Sequence, residues 1–280
     1  MTAPLYGLVL AGGRSSRMAR DKAALQYHGA SQLAVAFERL ARHVERGFIS
    51  VRPDQAQDPL RAGFAQIVDG PQSAGPISGL IAAQAAHPDA AWLLLACDLP
   101  FLGERTLAQL IAERASERDA TAFRSVHDGL PEPLCAIYEP RTREAVARYV
   151  AAGRQCPRKF LIAADTRLID PADARALDNV NSATEYWSTM ATLSPAASSQ
   201  PRRIHVQYFA ILREQAGRSD ETLATAARTP RELYDELRAR HPFTLAPEML
   251  RIAVNAEFGD WSQPLVDGDT IVFIPPVAGG

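Results

Sequence analysis

The sequence is poor in several features that would fix a function at once. Its 280 residues hold only three cysteines, Cys97, Cys135 and Cys156, with neither a CxxC pair nor Cys/His zinc spacing. An odd, unpatterned set argues against a disulfide framework and for reduced thiols, and so for a cytoplasmic location. No apolar stretch approaches about 18 residues, and no charged-then-apolar leader pattern opens the chain, so no membrane-spanning helix is expected. Net charge is -2. From residue 203 onward eight arginines stand against eleven acids, and the remainder is balanced at 22 against 21. Neither part has the basic excess of a phosphate-backbone binder, which excludes nucleic acid as an expected partner. Six histidines are scattered without metal-ligand spacing, and the three tryptophans read as packing residues.

What is present divides into two patterns. Up to about residue 190, apolar strand-like runs alternate with helical stretches. LYGLVLA (5–11), GFISV (47–51), AWLLLACD (91–98) and ATAFRSV (120–126) are the strands. SQLAVAFERLARHV (31–44), GPISGLIAAQAAH (75–87) and ERTLAQLIAERASE (104–117) are the helices. This alternation predicts an α/β, Rossmann-like domain with a mostly parallel sheet covered on both faces. A segment of Ser, Thr, Ala and Pro follows, read as a flexible linker over 191–202. Residues 203–280 change character. RIHVQYFAIL (203–212) and ETLATAA (221–227) read as a hairpin, PRELYDELRARH (230–241) as one helix begun by Thr229 and Pro230, and RIAVNAEF (251–258) and DTIVFIP (269–275) as further strands. A sheet with one packed helix in so short a span is a small α+β, β-grasp domain.

Chemistry concentrates in LAGGRSSRMARDKAAL (10–25), where the first strand turns toward a helix. The carboxyl end of a strand in an open α/β sheet is where ligands bind. Gly12 and Gly13 permit close approach of a phosphate chain to backbone N–H groups. Arg14, Arg17 and Lys22 supply candidate countercharge. The spacing is neither that of a Walker A loop nor GxGxxG. AWLLLACDLP then delivers Asp98 at the end of an uninterrupted apolar strand, where Leu99 and Pro100 stop the strand. A carboxylate so placed suits magnesium, a hard ion held by one or two carboxylates plus substrate phosphates. Asn181 reads either as an amide ligand completing that shell or as the cap of a helix beginning near Ser182.

The string 10–25 resembles the LAGGxSxRMGxDK signature of the molybdenum cofactor guanylyltransferase family. The resemblance continues in order through Asp69 ahead of GPISG (75–79), CDLP (97–100), DGLPEPLCAIY (128–138) and DNVNSATEY (178–186). Ala19 stands where the pattern has glycine. The resemblance implies that Leu10, Ala11 and Gly12 line the purine and ribose, that Lys22 and Asp69 complete the nucleotide pocket, and that Asp98 holds Mg2+. It implies GTP and molybdopterin as substrates: the terminal phosphate of molybdopterin attacks the α-phosphate in line and pyrophosphate leaves. Positioning and charge neutralisation by Lys22 and Arg17 then do the work without a protein nucleophile. DGLPEPLCAIY and GRQCPRKFL (153–161) are expected to face the pterin, with Arg154, Arg158 and Lys159 either meeting its phosphate or forming a solvated basic surface. Transfer of CMP, action on a sugar phosphate, and a degenerate nucleotide-binding scaffold are the alternatives.

Residues 203–280, and VDGDTIVFIPPVAGG above all, resemble the small subunit of molybdopterin synthase, a ubiquitin-like sulfur carrier. The resemblance implies that Gly280 is adenylylated by a partner enzyme, converted to a thiocarboxylate, and used to deliver sulfur to a precursor in the large synthase subunit. Val272 and Ile274 alternate with Ile271 and Phe273, so both faces of that strand are apolar, one against the helix and the other a candidate interface or buried.

Overall fold

The computed structural model describes residues 2–12, 21–25, 30–70, 75–180, 185, 189 and 201–276. Contacts divide the chain into two units, the first ending at Val180. Gly13, Arg14, Arg17, Ala19, Asn181, Gly279 and Gly280, and most of the expected linker, lie outside the described residues.

The first unit is built on a seven-stranded sheet. Its strands are β1 (Leu5–Leu10), β2 (Arg46–Val51), β3 (Gln66–Val68), β4 (Ala91–Ala96), β5 (Ala120–Arg124), β6 (Pro131–Tyr138) and β7 (Thr166–Ile169), in the spatial order β3-β2-β1-β4-β6-β5-β7. β1 pairs in parallel with both β2 and β4, β2 with β3, and β5 with β7. Only β6 runs against its two neighbours. The sheet is mostly parallel, as expected, and every residue of β4 is buried.

Among the described residues five α-helices flank it: α1 (Gln32–Ala41), α2 (Ile77–Ala86), α3 (Glu104–Ala112), α4 (Arg143–Ala151) and α5 (Pro157–Ala163). α1 begins at Ser31, whose hydroxyl accepts from the Ala34 amide at 3.3 Å, satisfying one of the orphan donors of the first turn. Its Leu33, Ala36 and Leu40 recur at helical spacing and are buried. Two apolar clusters fill the faces of the sheet, one around Val9, Leu40, Leu93 and Ile137, the other around Leu8, Leu80, Trp92 and Tyr138.

The segment expected to face the pterin is largely structural. Cys135, Ala136, Ile137 and Tyr138 of β6 are buried in the sheet. Arg158, one of the cations read toward the pterin phosphate, pairs instead with Asp128 at 2.9 Å and Glu132 at 3.0 Å. Arg154 lies over the Tyr149 ring.

The second unit carries a five-stranded sheet in the order β11-β10-β12-β8-β9. These strands are β8 (Arg202–Tyr208), β9 (Asp220–Thr225), β10 (Arg251–Val254), β11 (Glu257–Phe258) and β12 (Thr270–Ile274), with α6 (Ala210–Ala216) and α7 (Pro230–Arg240). Two expectations are corrected here. RIHVQYFAIL is not one strand: β8 ends at Tyr208, and AILREQA forms α6, closed by Gly217 at φ 68°. β8 and β9 still pair antiparallel, but across that helix, so the described residues from 201 onward form two α-helices where one was expected. RIAVNAEF is likewise a hairpin, because Asn255 and Ala256 take φ of 50° and 68° and turn the chain between β10 and β11. Two successive left-handed residues form the turn whose twist matches paired strands.

α7 starts as the sequence predicts, with the Thr229 hydroxyl accepting from the Glu232 amide and Pro230 in first place. Its Leu233, Tyr234 and Leu237 bury against Ile271 and Phe273, with the Tyr234 and Phe273 rings 4.9 Å apart. Val272 and Ile274 are half-buried on the opposite face. There the register sets Val272 beside Ala253, and Ala253 beside the exposed Phe258.

Candidate functional site

In the first unit, four neighbouring parallel strands end at one edge of the sheet. The chain passes from β1 to β2 on one side, whereas β4 lies on the other side of β1. The crevice outside β1 and β4 is therefore a topological switch point, where open α/β sheets bind ligands. The residues read from the sequence converge there.

β1 delivers Leu10, Ala11 and Gly12. Leu10 sits in register with Ser50 of β2 and Ala96 of β4, and the Ala11 amide continues the ladder to the Ser50 carbonyl at 3.1 Å. A Cβ placed on Gly12 would stand 3.5 Å from Oδ2 of Asp69, which puts that carboxylate against the opening of the glycine segment. Asp69 follows β3, is buried, and accepts from the Ser50 hydroxyl at 2.6 Å through Oδ1. Its amide donates to the Val51 carbonyl at 2.8 Å.

Lys22 opens a single 3-10 turn, Lys22–Ala24, started by Asp21, whose Oδ1 accepts from the Ala23 amide at 3.0 Å. The Lys22 ammonium donates to Oδ2 of Asp98 at 2.8 Å, and both side chains are about one-fifth exposed. Asp98 stands two residues past β4, and its carbonyl accepts from the amide of Val180, the residue before Asn181. Lys22 and Asp98, chosen separately from motifs 76 residues apart, thus form one ion pair across the switch point.

Among the described residues no three His, Cys, Asp or Glu side chains cluster as a metal site. Magnesium is commonly held by one or two carboxylates plus substrate phosphates, and Asp98 offers one carboxylate at the switch point. Next to it, burial above all, with Asp98 and Asp21 adding, pushes the Cys97 thiol up to about 12. Burial thus disfavours the Cys97 thiolate, the form a nucleophile needs.

Three residues that sequence reasoning did not single out also build this edge. Ser50 holds Asp69; a polar residue inside an apolar strand was its only signal. Arg52 donates to the Gly12 carbonyl and makes two bonds to Asp54, at 2.9 and 2.8 Å. Its guanidinium pKa is raised, first by the hydrogen bond to Asp54 and in smaller part by the charges of Asp21 and Asp69. Arg61 is fully buried and bonded to Ala11, Asp21 and Asp58. In the second unit, β12 leads directly to Pro275 and Pro276, beyond which the remaining residues, including Gly280, lie outside the description.

A mostly parallel sheet with a glycine segment, a lysine–aspartate pair and a buried carboxylate at its switch point defines a nucleotidyltransferase-type α/β domain. A protein-family model described as "MobA-like NTP transferase domain" matches residues 7–168, and one described as "ThiS family" matches residues 206–280. The chain belongs to the MobA-like nucleotidyltransferase family, and after that domain its residues 206–280 match the ThiS family. It is 37% identical over 183 residues to a molybdenum cofactor biosynthesis bifunctional protein of Synechocystis, a match covering 65% of this chain and 53%, about half, of that protein. It is 34% identical over 195 residues to a probable molybdenum cofactor guanylyltransferase of Mycobacterium tuberculosis, covering 68% and 94% of the two chains. The crystal structure of molybdopterin-guanine dinucleotide biosynthesis protein A from Archaeoglobus fulgidus shares the fold of the first unit. Its TM-score is 0.57 at 20% identity, over 68% of this chain and 99% of that one. No helix among the described residues is long and apolar enough to cross a membrane.

Proposed function

We propose that the N-terminal domain (1–190) transfers GMP from GTP to molybdopterin and that the C-terminal domain (203–280) carries sulfur for molybdopterin synthesis, with 191–202 joining them. The observation that carries the first half is the Lys22–Asp98 pair at the switch point, beside Gly12 and Asp69. An oxygen of the acceptor phosphate forms a bond to the α-phosphorus of GTP, the bond from that phosphorus to the β-phosphate bridge breaks, and pyrophosphate leaves with the electron pair. Leu10, Ala11 and Gly12 line the nucleoside side, Asp69 closes the pocket, and Lys22 sets positive charge beside the reacting phosphates. Gly13, Arg17 and Asn181 complete the proposed set. Asp98, with triphosphate oxygens, would hold a magnesium ion, which supplies charge neutralisation on the phosphates when bound. Catalysis then rests on positioning and electrostatics, as phosphoryl-transfer chemistry allows.

In the C-terminal domain the ThiS-family match over 206–280 supports adenylylation of Gly280 by a partner enzyme, conversion to a thiocarboxylate, and delivery to the large synthase subunit. Adenylylation turns a poor carboxylate electrophile into one with a good leaving group. Free thiols at Cys97, Cys135 and Cys156 fit a reducing compartment, and the cytoplasm is the proposed location. The test has two arms. Pyrophosphate release is measured with molybdopterin and GTP, CTP or UTP in competition, and intact mass is measured after incubation with an activating enzyme, ATP and a sulfur source. Release with GTP preferred, together with a sulfur-for-oxygen mass gain, is expected. Equal use of CTP would overturn the guanine assignment, and an unchanged mass would overturn the carrier half.

A further inference from the structure

Arg61 is the most completely buried charged residue described in the chain, with no solvent exposure of its side chain. Burying a guanidinium is costly unless its donors are used. They are used in one place. Nε and Nη2 both donate to the Ala11 carbonyl, at 3.2 and 2.9 Å. Nη2 also donates to Oδ2 of Asp21 at 2.6 Å, and Nη1 to Asp58. Ala11 and Asp21 stand immediately before and after the glycine-rich stretch 12–20. Asp21 is held twice, by Arg61 through Oδ2 and by the Ala23 amide through Oδ1. The next residue is Lys22, whose ammonium reaches Asp98.

We infer that Arg61 is a positioning residue for the nucleotide site: its guanidinium fork pins both ends of the glycine-rich segment and thereby aims Lys22. This rests on the nucleotidyltransfer reading above and adds to it a residue that touches no substrate. The Asp58 bond alone would account for an arginine that only orders its own turn, because those two residues are three apart. The three bonds to Ala11 and Asp21 run instead to chain 40 and 50 residues away. Lysine cannot replace the fork, since it offers one compact charge on a flexible stem in place of five donors fixed in a plane.

The test is steady-state GMP transfer by the full chain, varying GTP and molybdopterin separately. Misplacing a positioned group by about 1 Å costs about 10²-fold, so Arg61→Lys should lower kcat/KM for GTP by about that factor. The KM for molybdopterin at saturating GTP should hold. Asp21→Asn should give the same GTP-specific defect, because its amide sets a donor against Arg61 while its oxygen still caps the turn. Asp21 is about one-third exposed and Arg61 keeps its bonds to Asp58 and the Ala11 carbonyl, so this variant should disturb the fold less than Arg61→Lys. The double variant should be no worse than Arg61→Lys, the signature of two residues acting through one contact. Arg114→Lys is the control, since Arg114 is a largely but not fully buried arginine bonded to Glu139 and the Ala3 carbonyl, none of which lies in the site. Arg61→Lys and Asp21→Asn enzymes with wild-type kcat/KM for GTP, or with changes that match those of Arg114→Lys, would overturn the positioning role alone. A wild-type chain that transfers no GMP from GTP would overturn the functional reading and this role together.

Discussion

Gly79 lies where α2 passes over the end of β2, and a methyl group there would meet a residue that serves the nucleotide pocket. A Cβ on Gly79 would stand 2.5 Å from the Ser50 hydroxyl oxygen, and 3.0 Å from both Ser50 Cβ and Leu10 Cδ2. Rotating the hydroxyl away relieves the shortest contact but not the one to Cβ, so helix and strand must also part. Rotation moreover removes the donor that holds buried Asp69 at 2.6 Å. Overpacking costs about 1–3 kcal/mol and losing one hydrogen bond to a carboxylate about 1.5–3, while Gly→Ala inside a helix returns about 1, so Gly79→Ala should destabilise the first unit by about 1.5–5 kcal/mol. Native-state hydrogen exchange of the β4 amides reads that unit, and the β12 amides give an internal reference that should not move. GTP affinity should fall in parallel, because Asp69 loses the Ser50 bond that helps orient its carboxylate. Adding Ser50→Ala should recover part of the stability, by deleting the 2.5 Å contact, and none of the affinity. A Gly79→Ala chain within about 0.5 kcal/mol of wild type, the usual scatter for harmless substitutions, would refute the reasoning.

Further outcomes follow from other contacts. Asp98→Asn keeps the shape but removes the charge, and should reduce GMP transfer by about 10²-fold or more in a pyrophosphate-release assay, with GTP-independent thiocarboxylate formation unchanged. Appending one alanine after Gly280 should abolish the sulfur-for-oxygen mass gain while leaving GMP transfer intact. Glu221 is raised by burial but lowered further by the Tyr208 hydroxyl at 2.6 Å and the His241 ring at 2.7 Å, so its net pKa lies below the ordinary 4.5. A lowered carboxyl contributes stability in full above its unfolded value and loses it as pH falls through the folded one. Glu221→Gln should therefore flatten the acid limb of the second unit's stability curve below 4.5 and leave the first unit's curve unchanged.

How much of this was legible in the sequence depended on whether a residue announced its environment. β1 and β4 are uninterrupted apolar runs, and a strand buried on both faces has no other way to look. Asp98 was legible because it ends such a run and Lys22 because it is a cation in the segment after β1, whereas Asp69 came from the family resemblance alone. β3 and β7 were not legible, having three and four residues between polar turns, too few to show a period. β6 was read as a substrate-facing segment because its two prolines disguise a strand. Arg61 was invisible: charged side chains in an aperiodic Asp-Pro-Leu-Arg-Ala-Gly stretch read as solvated, and only the three-dimensional position of the Ala11 carbonyl explains its burial. The Asn255–Ala256 turn escaped for a related reason. Turns with two left-handed residues usually announce themselves by glycine, and here alanine takes the second place.

β12 is the central strand of its sheet, held by β10 on one side and β8 on the other, and the chain leaves it directly through Pro275. A pull transmitted from the following residues therefore runs along the axis of a doubly bonded strand. Its ladder bonds lie across that axis and must yield together, in shear, where an edge strand would peel one bond at a time. Under the carrier reading proposed above, a partner drawing on the residues beyond Pro276 would load the most firmly held strand of the sheet.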